Sequence, residues 1–290
     1  MPPDLATVEV EALTGAPSAA PRALRIGAWL ALGWMVFLVV LAILAPVLPI
    51  PDPAESIGEI VRQGPQAGHW FGGDFIGQDV LSQVIWGTRA SLLVGFGAIA
   101  LGLLVGTPLG MLAGYFRGPL DRVVVTCLDI MLSIPALILA IALTAFLGRS
   151  LVNITLALGI IAIPQLARVV RANALTYAER EFVTAARALG ASHLRTVTRE
   201  VFPNVVPALV ATSLLAVAIA IVAEGVLSVI GVGLPLDVPS WGSLIDEGRQ
   251  HLDTLPWVAF FPCLFLFLTV ISLNTLGDAI RQRFDARETR

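Results

Sequence analysis

ASLLVGFGAIALGLLVGTPLGMLAGYF, residues 90–116, runs for 27 residues without one charged side chain. A helix crossing a bilayer takes about 20 mostly apolar residues, so this stretch is long enough to span. Outward from it, five more runs meet the same test. They are 26–48, 123–148 (interrupted only by Asp129), 150–167 (continued by the amphipathic Val169–Tyr177), 201–223 (followed by Glu224 and more apolar sequence) and 254–277. In hydrocarbon each backbone amide must be satisfied within its own segment, so the runs are expected to be helices. The strand alternation of a membrane barrel is missing. The expected class is an all-α membrane protein with six transmembrane helices. The first run is longer than the about 7–15 apolar residues of a signal peptide and has no A-x-A site after it, so it reads as a retained helix. Residues 1–21, rich in Ala, Pro and acid, read as a disordered tail.

Composition agrees. The 290 residues are 57% hydrophobic and 13% charged, against about 45–50% and about 25% for soluble domains. That excludes a soluble enzyme and a nucleic-acid binder. All 18 basic residues are Arg. A Walker-type phosphate loop needs a Lys, so ATP cannot be bound in that way here. Cys127 and Cys263 sit in apolar runs and read as small buried hydrophobes. His69, His193 and His251 are too far apart for a metal-ligand motif.

Arginine is unevenly placed. With the N-terminus inside, the inner segments 1–25, 117–122, 168–200 and 278–290 hold 14 of the 18 Arg, and the outer segments hold four. The positive-inside rule then puts both termini in the cytoplasm.

The inner segment 168–200 is too long for a simple connection. Phe182, Val183, Ala186 and Leu189 fall at helical spacing. Gly190 follows as a helix-stopping glycine, and Ser192 can cap a second short helix carrying Leu194, Val197 and Val201 on one face. Arg180, Arg187, Arg195 and Arg199 border the pair. Periodicity alone suits two roles equally, an amphipathic hairpin on anionic headgroups or a knob docking into a groove on a partner.

Phe182-Val183-Thr184-Ala185-Ala186-Arg187-Ala188-Leu189-Gly190-Ala191-Ser192, then Val201-Phe202-Pro203-Asn204, resembles the EAA signature of ABC-importer permease subunits. Thr184 stands where that family often has Glu. Phe71-Gly72-Gly73-Asp74-Phe75-Ile76-Gly77-Gln78-Asp79, Gly114–Asp121, Ser133-Ile134-Pro135, Glu224–Gly233, Pro239-Ser240-Trp241-Gly242 and Asn274–Asp278 are similar to the C-type subunit of the dipeptide, oligopeptide and nickel permeases. The resemblance covers about residues 22–287 and implies a type I importer fold. It divides the chain into the tail at 1–21, a first helix and outer loop at 22–89, and a five-helix core at 90–290. Within that core a cytoplasmic coupling helix lies at about 179–200. On the resemblance, Phe182, Thr184, Ala185, Ala186, Arg187, Leu189, Gly190, Ala191 and Ser192 contact an ATPase subunit. The implied partners are a second, homologous permease, two ABC ATPases carrying ATP and Mg, an extracytoplasmic binding protein and membrane lipid. The implied location is a bacterial inner membrane. The implied cargo is short peptides, with nickel or glutathione as alternatives.

Three residues are candidates for the pathway or its gate. Asp129 and Glu224 are acids inside or beside spans, where an ionisable group faces a cavity or a partner. Each can line the path or hold a neighbouring helix by a hydrogen bond. Trp241 begins an amphipathic stretch within 234–253 that suits a gate. Gly102, Gly106 and Gly110 make a small-residue face that permits close helix packing, and Pro108 and Pro135 are candidate kinks. An ion-coupled carrier would need more mid-membrane charge than this chain has. A membrane-embedded enzyme would need acid pairs or Ser–His pairs within its spans. Neither pattern is present, and neither a catalytic residue nor a metal ligand is expected.

Overall fold

The computed structural model describes residues 22–235 and 237–288. The tail expected at 1–21 lies outside the described residues. Within them the chain is almost wholly helical. Its helices are α1 (Arg22–Leu44), α2 (Val80–Phe116), α3 (Gly118–Ser133), α4 (Ala136–Leu147), α5 (Leu151–Ala178), α6 (Glu181–Ala188), α7 (His193–Val229), α8 (Trp241–Arg249) and α9 (Pro256–Glu288).

Five of these, α1, α2, α5, α7 and α9, are each long and apolar enough to cross a bilayer. The sixth traverse is broken. Residues 123–148 were expected to form one span, but α3 and α4 meet at a bend of 84°. The cause is Pro135. It offers no N–H and disfavours helical geometry in the residue before it, and Ile134 is accordingly extended at φ −90°, ψ 125°. By contrast Pro108 is carried inside α2.

The chain alternates between two ends, which can be called the α6 end and the α8 end. At the α6 end, the hydroxyl of Tyr115 and Nδ1 of His193 share a hydrogen bond of 3.1 Å, and Arg117 pairs with Glu179 at 2.8 Å. At the α8 end, Arg149 in the α4–α5 turn donates to the carbonyls of Gly233 and Leu234, at 3.1 and 3.0 Å. The broken pair therefore runs from one end to the other like the single helices. Gly27 of α1 approaches Thr275 of α9, so the first and last described turns lie at the same end.

The α2–α5 seam is the most extensive helix–helix contact among the described residues. A Cβ added at Gly102 would stand 3.0 Å from the Ala162 methyl, at Gly110 2.4 Å from the Ala167 carbonyl oxygen, and at Gly114 2.7 Å from both the Arg171 carbonyl oxygen and the Ala174 methyl. The small-residue face is thus filled by this chain's own α5. Lipid gives helices little hydrophobic reason to associate, so such contact is what joins them.

Candidate functional site

Two regions carry the candidate residues, one at each end of α7. At the α6 end, α5 extends to Ala178, well beyond its apolar run. Helix α6 follows and is anchored by Val183, which is 1% exposed. Gly190 ends it with φ +87°, a value a side chain would resist. The Ala191 amide reaches back to the Ala186 carbonyl at 3.0 Å and the Gly190 amide to that of Arg187 at 3.0 Å, closing the helix in a Schellman-like turn. Ser192 Oγ then accepts from the Arg195 amide as an N-cap.

The second short helix expected after Ser192 is not separate. It is the first part of α7, a 37-residue helix running through a π-helical segment at Thr196–Val201. The backbone stays helical beyond the apolar run because nothing between Ser192 and Pro203 interrupts the hydrogen-bond ladder. Val201 is fully buried, whereas Leu194 is 74% exposed. Phe182, at 41%, and Leu189, at 90%, are also exposed. Thr184, Ala185, Arg187 and Gly190 are exposed around them, with Ala186 and Ala191 half-buried. This end therefore presents apolar side chains among arginines.

Just behind this surface, charged pairs join α3 to α5. Arg171 grips Asp121 with two bonds, Nε at 2.5 Å and Nη2 at 2.8 Å. Arg168 meets Asp129 at 2.5 Å, and both are about half exposed. Asp129 thus has an arginine partner from the charged extension of α5. The sequence alone did not indicate this pairing, because the partners are 39 residues apart.

At the α8 end, Glu224 has no exposed surface. Its Oε1 accepts from Ser228 Oγ at 3.0 Å and from Ser240 Oγ at 2.8 Å. Ser240 and Ser243 form a reciprocal capping box that starts α8. Trp241 follows and is fully buried. Its amide donates to Ser91 Oγ at 3.2 Å and its indole to the Val84 carbonyl at 3.3 Å. Glu224 and Trp241 are therefore brought together through Ser240, and both tie α8 to the long helices. Asp129 lies apart from them, on α3.

The Phe71–Asp79 motif folds into a compact turn beside α8. Asp74 is fully buried. Its Oδ1 accepts from the amides of Ile76 and Gln78 at 2.9 and 2.8 Å, and its Oδ2 from the Gln83 side chain at 3.0 Å. Asp79 caps α2 through the Leu81 amide, while burial holds its carboxyl above the usual range. Trp257 at the start of α9 donates to the Gly73 carbonyl at 3.0 Å. A cavity of about 400 Å³ opens between this loop and α8. On its wall, burial and, secondarily, the nearby charges of Asp74 and Asp246 push Glu247 up to about 7.

Paired long helices able to cross a bilayer, a broken traverse and a short helix displayed at one end make up the architecture of an all-α, multi-pass membrane protein. Residues 106–290 match the family of binding-protein-dependent transport system inner membrane components, and the chain belongs to that family. It is 34% identical to the glutathione transport system permease protein GsiD of Pectobacterium atrosepticum, over 88% of this chain and 85% of that one. To the dipeptide transport system permease protein DppC of Alkalihalophilus pseudofirmus it is 35% identical, over 86% and 82%. Among solved structures, an inward-facing MetNI methionine ABC transporter superposes with a TM-score of 0.60 at 22% identity, covering 70% of this chain and 97% of that one. An amino acid ABC transporter superposes at 0.55 and 17%, covering 70% and 94%. The resemblance in the sequence and the type I importer fold it implied are both met. The chain is a multi-pass permease component of an ABC importer.

Proposed function

We propose that this subunit forms half of a translocation pathway for short peptides handed over by an extracytoplasmic binding protein. The other half comes from a second, homologous permease. Two ABC ATPases, which carry the ATP and Mg, seat on the coupling segments of the pair. The subunit itself carries out no chemistry and sits in a bacterial inner membrane with both termini in the cytoplasm. The observation that carries this reading is the α6 end. Phe182, Leu189 and Leu194 are exposed apolar side chains on a segment fixed from behind by Val183 and Val201, as a knob for a hydrophobic cleft needs. Thr184, Ala185, Ala186, Arg187, Gly190, Ala191 and Ser192 complete that contact. Glu224 and Trp241 hold α8 as a gate at the opposite end, and Asp129 with Arg168 steadies the broken traverse beside the path. The names of the relatives support peptides as cargo, and glutathione, a γ-linked tripeptide, falls in the same chemical class.

The test is uptake by the assembled complex in proteoliposomes. Leu189→Asp with Phe182→Asp should abolish ATP-dependent peptide uptake and release the ATPases on size-exclusion, with membrane insertion intact. Full uptake by that double variant would refute the docking role. Uptake of glutathione but not dialanine would narrow the cargo.

A further inference from the structure

Helix α2 ends on a residue in an unusual backbone state. Arg117 has φ +57° and ψ −164°, at the edge of a region left almost wholly to glycine. A long cationic side chain is nevertheless kept there, and it reaches across to the end of α5. Its Nη2 donates to the Leu175 carbonyl at 3.3 Å and meets the Glu179 carboxylate at 2.8 Å. The Leu175 carbonyl is one of the last four of α5, which a helix leaves without an intrahelical partner. Glu179 caps α5 just before α6 begins.

Tyr115, on the same last turn of α2, reaches the other side of the displayed segment. Its hydroxyl shares the 3.1 Å bond with Nδ1 of His193, the first residue of α7. The rings of Tyr115 and Phe116 lie 5.8 and 5.7 Å from the His193 ring. One turn of α2 thus holds both the entry to α6 and the exit from it. That turn has little freedom of its own, because Gly114 is pressed against α5. The Arg117 and Glu179 side chains are 43% and 69% exposed. So exposed a pair adds little to stability, no more than the strained backbone costs. Its contribution is to fix a position. At its far end α2 holds Trp241 of α8 through Ser91 and the Val84 carbonyl.

We propose that Tyr115 and Arg117 are positioning residues that clamp both ends of segment 179–193 to α2, so that a load on α6 passes along α2 towards α8 instead of being absorbed in the connections. The proposal rests on the docking reading for what applies the load, but the clamp itself does not.

Hydrogen exchange on the full chain in nanodiscs, without ATPases, tests the clamp. Arg117→Gly and Tyr115→Phe should each speed exchange over 179–195 by about fivefold, the protection of about one hydrogen bond, and leave 151–170 unchanged. Arg117→Gly should also be at least as stable as the wild type to dodecyl sulfate, since glycine takes this backbone freely. Unchanged exchange over 179–195 in either variant, acceleration spread through the whole chain, or a less stable Arg117→Gly overturns the clamp. The assembled complex tests transmission. A non-hydrolysable ATP analogue should alter exchange over 238–250 in the wild type. Arg117→Gly should lose that response while the ATPases stay bound on size-exclusion. A full response in Arg117→Gly, none in the wild type, or release of the ATPases by Arg117→Gly alone overturns it. ATPases that fail to bind even the wild type would refute the docking reading, and the first measurement would still decide the clamp.

Discussion

Replacing Gly110 by Ala tests whether the α2–α5 seam holds the permease core together. The new methyl would stand 2.4 Å from the Ala167 carbonyl oxygen and 2.7 Å from Val170 Cβ. The carbonyl belongs to a helix backbone and cannot swing aside, so the two helices must part by several tenths of an ångström. A gap of about 0.5–1 Å forfeits about a quarter to a half of each dispersion contact along the line. Overpacking of this kind costs about 1–3 kcal/mol, offset by about 1 kcal/mol because Ala is the better helix former. The net expectation is a loss of up to about 2 kcal/mol for Gly110→Ala. Gly110→Val, with a larger clash and a smaller offset, should lose about 3 kcal/mol or more. Gly33 of α1 is the control, since nothing lies within 4 Å of a Cβ there. Gly33→Ala should be neutral or stabilising by up to about 1 kcal/mol. Unfolding in mixed micelles of dodecylmaltoside and increasing dodecyl sulfate, followed by circular dichroism, gives the ranking. The reasoning fails if Gly110→Ala is as stable as Gly33→Ala.

Other expectations concern the α8 end and the charged pairs. Glu247 is held at about 7, above the ordinary carboxylate value of 4.5, so the folded state binds the extra proton between those pH values. Stability is then full below about pH 4.5 and falls as pH rises through 7, by up to about 3 kcal/mol, less the screening at the open cavity mouth. Glu247→Gln should flatten that fall, and melting curves at pH 5 and pH 8 would show it; a wild-type protein more stable at pH 8 would contradict the assignment. Ser240→Ala removes both the α8 cap and a donor to Glu224, with an expected cost of about 1–2 kcal/mol. Faster hydrogen exchange confined to residues 238–250 is its signature, and unchanged exchange there would show that the cap does not hold α8. Asp121→Asn loses the paired charge that meets Arg171 and should cost about 1–2 kcal/mol; no change in the same micelle assay would mean that the pair is energetically idle.

Much of the six-traverse architecture was legible because charge-free runs of the right length are hard to place anywhere but in lipid. Their ends were not. Helix α2 begins at Val80, ten residues before the uncharged run, and α7 begins at His193, eight before it. Hydropathy reads membrane depth, whereas a helix stops only when its backbone ladder is interrupted. Pro135 was visible as a kink, but an 84° turn depends on how α3 and α4 pack. The glycine face on α2 was visible too, though not its partner, since nothing local in α2 names α5. Gln83 gave no signal. A single polar residue in the first turns of an apolar helix has no periodicity, and its meaning comes from Asp74, nine residues back in a loop that folds over it.

Helix α7 joins the displayed segment at Ser192 to the Glu224–Ser240 contact in one unbroken rod of 37 residues, about 55 Å long. Such a rod fixes phase as well as distance. Inserting one residue midway would advance the far end by about 1.5 Å and rotate it by about 100°, turning Glu224 away from Ser240 while leaving every local contact near Ser192 intact. The helix therefore behaves like a keyed shaft, whose two ends stay in phase only while the residue count between them is kept.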